Sequence, residues 1–600
     1  DLDYPYAKYD QVFVPEFSAG AMENVGCVTI SEMLVFRSKT TDLFYELRAN
    51  TILHEMAHMW FGDLVTMRWW DDLWLNESFA EFCATLASAE ATRFTDAWTT
   101  FSGARKVWGY GQDQLPSTHP IAADIDTLTE AVANFDGISY AKGASVLKQL
   151  VAFIGRDNFF TGIRAYFAEH AGGNATLADL LRALEKSSGI DLSEWTRAWL
   201  QTAGPNSVRS DFTLDDSGAF ASFTVVQEAP AAFPTLRPHH LAIGLYALQD
   251  GSLVRTHQVE VNVAGARTDV PELVGVAQPD LILLNDDDLS FVLIRFDERS
   301  LATLGTSIGH FRDSLARTVC WSAVIDMASQ AEMSVPAFVR IVASGMVVEP
   351  SVTVLQILHF FSRGLLTSAD PAWIGQGRAA LADAAVPMLH AAVPGSDAQL
   401  IWAQLVGSTA ATDDQLDLLA GLLDGSVEIE GLAVDTDLRW TLLSRLAATG
   451  RADAAAIDAE AARDATDAGA RHAIACRAAM PVAERKAEAW RQLTESEELG
   501  YEGVQEVAVA FTDPGQAELL QPYVERYFQA LPGLWASRSE VYRMLLCAMI
   551  FPHYAASLEL IEQVDSFLAA GDRDPALVRL LTEQRDRVTR ALKSRTLPVG

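Results

Sequence analysis

The period of hydrophobic and polar positions changes twice along the chain. The run from Leu43 to Leu64 is compatible with a helix throughout, and its only glycine, Gly62, lies near its end. A second helical pattern opens at Leu75–Phe82. Such patterns, mixed with short β-like runs, continue to about residue 205, where Gly204-Pro205-Asn206 breaks the chain. From there the period becomes two. Phe223, Val225 and Gln227 alternate with Thr224 and Val226, and Val259, Val261 and Val263 alternate with Glu260 and Asn262. The run Ser290–Phe296 follows the turn-forming Asn285-Asp286-Asp287-Asp288. Short strands with turns between them predict a small β-sandwich. Beyond about residue 299 apolar residues return to helical spacing, as in Leu438, Trp440, Leu442, Leu443 and Leu446, with breaks such as Thr449-Gly450. This predicts antiparallel helix pairs without a fixed repeat, and the Ala-rich run Ala452–Ala479 is expected to be helical. The expected fold is multidomain α+β: a mainly helical domain over 1–205, a β-sandwich domain over 206–298 and an all-α C-terminal domain over 299–600.

Composition supports several domains, because 600 residues exceed what one hydrophobic core holds. Half the residues are hydrophobic and 21% are charged, which excludes a disordered or low-complexity chain. Eight of the 14 tryptophans fall before residue 205. Acidic residues outnumber basic ones 79 to 45, for a net charge of −34. That field repels nucleic acid and anionic membrane surfaces and suits cationic substrates or metal ions. Five cysteines, odd in number and far apart, point to reduced thiols and a cytoplasmic location. No run of 18 apolar residues encodes a membrane span. The chain opens at Asp1 without Met, as the interior of a longer protein would.

Chemistry concentrates in His54-Glu55-Met56-Ala57-His58. On a helix, residues i and i+4 share a face, so both imidazoles reach one ion while Glu55 stands beside it. A catalytic zinc takes three protein ligands and keeps a position for water. Glu77 is the candidate third ligand, separated from His58 by eighteen residues at the opening of the next helical pattern. Between them lie Trp69-Trp70 and Trp74. Asp71 and Asp72 either orient an imidazole or cap the helix entry, and Glu81 is either solvated or a support for a ligand. Zinc lowers the pKa of its water and polarises a carbonyl, and Glu55 then serves as general base, passing the proton to the leaving amine. The reaction class is metal-assisted amide hydrolysis.

Three further strings sharpen this reading: Gly20-Ala21-Met22-Glu23-Asn24, Thr118-His119-Pro120 and the segment Phe135–Val146 around Tyr140. With the segments His54–Asp63 and Trp69–Phe79, their order and spacing resemble the aminopeptidase N family of gluzincin zinc metallopeptidases. The specific motifs lie within residues 14–146, and the three-regime organisation resembles the family's over the whole chain. The resemblance implies a thermolysin-like catalytic domain, a C-terminal superhelical domain and one Zn2+ per chain. It implies that Glu23 binds the substrate's α-ammonium group, a task suited to a charge-assisted hydrogen bond. By the same resemblance Gly20, Ala21, Met22 and Asn24 belong to the substrate-binding string, with open backbone at Gly20 and Ala21 for an extended peptide. Asn24 and His119 are expected to act structurally. Tyr140 corresponds to the tyrosine that hydrogen-bonds the tetrahedral oxyanion. Family members carry a further β-rich domain before this segment, so an N-terminally truncated chain is expected.

The implied activity is a zinc-dependent aminopeptidase acting on peptides with free N-termini, as a monomer, without nucleic-acid or membrane partners. Two alternatives remain open at this level. One is an epoxide hydrolase or endopeptidase on the same zinc site, which Glu23 disfavours because an internal peptide bond would leave a buried acid unpaired. The other is a non-catalytic helical scaffold, which has no use for Glu55.

Overall fold

The computed structural model describes residues 2–598. The chain forms two compact units. The first holds the residues up to Phe13, Gly20–Ile30 and Tyr45–Met327; the second holds Val14–Ala19, Ser31–Phe44 and the chain from Ala328 onward.

The first unit opens with a three-stranded sheet, β1 (Asp10–Val14), β2 (Ala21–Met22) and β3 (Cys27–Ser31), with β3 in the centre. Helix α1 (Asp42–His58) covers most of the expected Leu43–Leu64 helix but ends four residues before Gly62. Gly62 has φ +128°, a backbone that side chains rarely adopt, and it turns the chain into β4 (Val65–Met67). Helix α2 (Leu73–Ala91) is buried along nearly all of its first half. Its Phe79 ring stacks on Phe61, 4.4 Å between centroids, which folds the end of α1 back onto α2. Helices α3 (Lys106–Asp113) and α4 (Gly143–Ile154) follow, and β5 (Gly173–Ala175) pairs in parallel with β4. Phe61, Trp74, Phe79, Phe82, Phe159 and Trp199 share the core of this region.

Two sheets come next. One is ordered β10 (Arg267–Asp269), β7 (Phe220–Glu228), β6 (Ser207–Leu214), β12 (Leu293–Arg295); the other is β11 (Leu281–Leu284), β8 (His239–Gln249), β9 (Ser252–Val263). In β9 the period of two is visible, with Glu260 and Asn262 exposed between less accessible valines. In β7 it is not: every residue from Phe223 to Gln227 is buried. Gln227 is satisfied there by donating to Gly265 O (2.9 Å) and accepting from Arg237 N (3.1 Å), so a polar side chain tolerates the covered face. Only Leu293–Arg295 of the Ser290–Phe296 run is strand, because Ser290 and Phe291 bond elsewhere. Ser290 O accepts from buried Lys106 Nζ (2.8 Å), and Phe291 N donates to Gln149 Oε1 (2.7 Å).

The second unit is helical from Val335 to Thr596. Thr436–Ala448 buries Leu438, Trp440, Leu442, Leu443 and Leu446, as the spacing predicts. The Ala-rich run forms two helices, Ala454–Arg463 and Asp467–Ala479. They part at Asp464, whose carboxylate accepts from Trp440 Nε1 (2.9 Å) and Arg37. Ser, Thr and Asp side chains at positions 334, 351, 370, 396, 412 and 435 cap successive helices. Among the described residues no helix is long and apolar enough to cross a membrane. All five cysteines are free; Cys320, Cys476 and Cys547 are buried, Cys83 is half-buried and Cys27 is exposed.

Candidate active site

Helix α1 delivers His54, Glu55 and His58 to one buried place, with the two imidazole centroids 4.7 Å apart, as an i, i+4 pair requires. The second turn of α2 brings Glu77 opposite. Its Oε2 lies 3.3 Å from His54 Nε2 and 3.6 Å from His58 Nε2. Bonds of about 2.0–2.1 Å in a tetrahedral shell separate neighbouring ligand atoms by about 3.3 Å, so this donor set has the span of a single zinc ion. The remaining ring nitrogens are turned elsewhere. His58 Nδ1 faces Asn76 Oδ1 (2.7 Å) and Phe61 O (3.1 Å), while His54 Nδ1 faces Glu81 Oε2 (3.5 Å). Both Nε2 atoms are thereby left toward Glu77. Two nitrogens and one carboxylate oxygen converging in this way fit a zinc ion.

Glu81 is buried, so the solvated alternative does not apply. Arg105 holds it with two 2.7 Å hydrogen bonds. Asp71 and Asp72 do not reach an imidazole. Asp71 Oδ1 accepts from Ile125 N (2.8 Å) and Asp72 Oδ2 from Leu177 N (3.0 Å), each bracing a loop from another part of the chain.

The carboxylates of the site are driven apart electrostatically. Burial opposes the charge on Glu77, yet His58 and His54 hold it well below the usual carboxylate range. Burial pushes Glu55 up to about 7, and its buried Oε2 has no hydrogen-bond partner within the protein. Tyr140 stacks on His54 with centroids 5.8 Å apart and planes 11° apart. Burial, reinforced by Glu77, raises its phenol well above the ordinary tyrosine value, so it remains a hydrogen-bond donor.

Glu23 follows β2, whose residues pair antiparallel with β3, Ala21 with Ile30 and Met22 with Thr29. Its Oε1 accepts from Asn76 Nδ2 (3.2 Å), and one acceptor each from Glu23, Glu55 and His58 lie within 4.8 Å of one another. Nothing stands within 4 Å of a Cβ built at Gly20. Asn24 donates to Thr29 Oγ1 (3.2 Å) within its own hairpin. Sequence reasoning passed over Asn76 and Arg105. The first was in view as the neighbour of Glu77; the second, 24 residues beyond Glu81, carries no local signal.

Comparison with known proteins agrees with this geometry. Residues 1–199 match the Peptidase family M1 domain, and residues 281–590 match the ERAP1-like C-terminal domain. Aminopeptidase N of Streptomyces lividans is 50% identical over 608 residues, a match covering 99% of this chain and 70% of that protein. The chain belongs to peptidase family M1. Shorter matches place other relatives beside this M1 peptidase. Probable aminopeptidase 2 of Sulfurisphaera tokodaii is 41% identical over 204 residues, 34% of this chain and 26% of that protein. Leucyl aminopeptidase of Saccharolobus solfataricus is 36% identical over 210 residues, 35% of this chain and 27% of that protein. M1 peptidases are zinc metallopeptidases and peptide hydrolases. The residues that converge in this one all lie within the matched M1 segment.

Proposed function

We propose that this M1 peptidase is an aminopeptidase that removes the N-terminal residue from peptides carrying a free α-amino group. His54, His58 and Glu77 would hold one zinc ion. Bound there, zinc supplies a Lewis acid that polarises the scissile carbonyl and acidifies water. Glu55 takes the proton of the attacking water and returns it to the leaving amine; its carboxyl, raised to about 7, suits both directions of transfer near neutral pH. Tyr140, kept protonated, donates to the oxyanion that develops on the carbonyl oxygen. Glu23 pairs with the substrate ammonium, and the string Gly20–Asn24 carries the backbone against which an extended peptide lies.

One observation carries the exopeptidase register: a carboxylate oxygen of Glu23 lies within 4.8 Å of one of Glu55 and of a ring nitrogen of His58. An acid so near the hydrolytic centre fits a terminal ammonium one residue from the scissile bond. Within this reading residues 1–205 form the catalytic domain, 206–298 the β-sandwich and 299–600 the helical domain. The protein works in the cytoplasm as a monomer, without nucleic-acid or membrane partners. The net charge of −34 and the five free cysteines support those assignments. The Glu23→Gln variant tests the register, with KM rising for a free-amine substrate and metal content unchanged. Unaltered KM and kcat would refute it.

A further inference from the structure

The Thr118-His119-Pro120 string takes no part in the chemistry above, yet it bonds the acid at one end of the segment that carries Tyr140 and the acid that pairs with Lys142 at the other. That segment is a π-helical turn, Ile138–Lys142, leading into α4. Such turns are seldom stable without outside support and recur at functional sites. Its opening amides need acceptors, and Asp136 provides them. Asp136 Oδ1 accepts from Ile138 N (2.9 Å) and Ser139 N (3.4 Å), and the Asp136 main-chain carbonyl accepts from the Tyr140 amide (3.1 Å). The other carboxylate oxygen, Oδ2, lies 3.1 Å from His119 Nε2, while His119 Nδ1 lies 2.7 Å from Pro120 O. Both ring nitrogens therefore face oxygen atoms, Asp136 on one side and Pro120 on the other.

The far end of the turn is held by a buried ion pair. Lys142 Nζ stands 2.8 Å from Asp113 Oδ2, with both side chains almost wholly out of solvent. Asp113 Oδ1 accepts from Thr118 Oγ1 (2.7 Å) and from Gly204 N (3.2 Å). Adjacent residues, Thr118 and His119, thus grip two acids that bracket Tyr140 from either side. A third contact sets the turn against the metal-ligand helix: Ser78 Oγ donates to Ser139 O (2.5 Å). Gly143 leaves room for this, since a Cβ there would meet Ser78 Oγ at 1.9 Å.

We infer that Thr118 and His119 are positioning residues: through Asp136 and the Asp113–Lys142 pair they hold the π-turn in the register that aims the Tyr140 phenol at the developing oxyanion. This rests on the catalytic role proposed for Tyr140. A donor misplaced by an ångström loses most of its transition-state benefit while ground-state binding survives.

The test is a pair of double-mutant cycles, His119→Ala and Thr118→Val each combined with Tyr140→Phe in the full chain. It reads kcat and KM on a chromogenic amino-acid amide, with bound zinc and thermal midpoint for every variant. Each single clamp variant is expected to lower kcat about tenfold with KM within about twofold and zinc retained. Neither should lower kcat further once Tyr140 is replaced by Phe. His119→Gln, which still donates to Asp136, is expected to recover part of the loss. Equal losses with Tyr140 present and with Tyr140→Phe, or losses that follow zinc or KM, would overturn the clamp alone. Wild-type kcat in Tyr140→Phe itself would overturn both the clamp and the catalytic role on which it rests. If His119→Ala does not fold, the Thr118→Val cycle decides by the same criteria.

Discussion

The side-chain carbonyl of Asn76 lies 2.7 Å from Nδ1 of His58, and its amide nitrogen points the other way, 3.2 Å from Glu23. One buried side chain thus orients an imidazole proposed to hold the metal and the carboxylate proposed to anchor the substrate amine. Its place depends on residue 62. A Cβ at Gly62 would stand 2.1 Å from Asn76 Oδ1, on a backbone with φ +128°.

Two substitutions follow from this pair. Asn76→Ala should weaken zinc affinity about 10- to 100-fold, the usual cost of removing a hydrogen-bond partner of a ligand, and should raise KM through Glu23. Gly62→Ala should destabilise the first unit by about 1–3 kcal/mol, as non-glycine residues in such backbone do, and should lower zinc affinity in parallel. Competition with a chromogenic chelator measures the affinity. Wild-type affinity in Asn76→Ala would show that the His58 contact has no energetic weight.

Glu55 and Tyr140 should separate chemistry from binding. Glu55→Gln keeps the shape but cannot carry the proton, so kcat should fall by about 10²–10⁴ with zinc retained. Tyr140→Phe removes one donor and should cost about 2.7–4 kcal/mol in the transition state, about 10²–10³ in kcat. Comparable KM values in both variants, measured beside kcat, would place the losses in the chemical step.

A pH dependence of stability arises away from the site, at His239. Burial, with the nearby Arg237 charge, lowers its pKa to about 3; its Nδ1 meets Ser290 Oγ at 2.7 Å. The folded state therefore keeps the ring neutral, whereas the unfolded chain protonates it below about 6.5. Its contribution is complete above about pH 6.5 and is lost as pH falls toward 3, by about 1.4 kcal/mol per pH unit. Urea midpoints at pH 7.5 and 5 should converge in His239→Gln relative to the wild type. An unchanged pH slope would contradict the assignment.

What could be read ahead of the structure follows the range of the interactions involved. His54, Glu55 and His58 belong to one helix, so their common face follows from a period of 3.6. The buried stripe of Thr436–Ala448 was legible for the same reason. Asp71 and Asp72 looked equally suited to an imidazole, but amides of Ile125 and Leu177, 54 and 105 residues away, claim them. Arg105 likewise acquires its role from packing against a distant segment, and no spacing rule announces it. In β7 the alternation of residue types misstates burial: Thr224, on the face opposite Phe223 and Val225, is covered and donates to Asp269 Oδ1 (2.9 Å), while Gln227 beside those two is satisfied by Gly265 and Arg237.

The proposed activity is that of a metal-dependent hydrolase that requires a free amino terminus. It is tested most directly by measuring bound zinc in the purified chain and comparing turnover of one chromogenic amino-acid amide with that of its N-acetylated form. One zinc per chain is expected, with cleavage of the free-amine substrate alone, abolished by chelation and restored by zinc. Equal cleavage of both forms would contradict the exopeptidase register, and turnover indifferent to chelation would contradict the metal site itself.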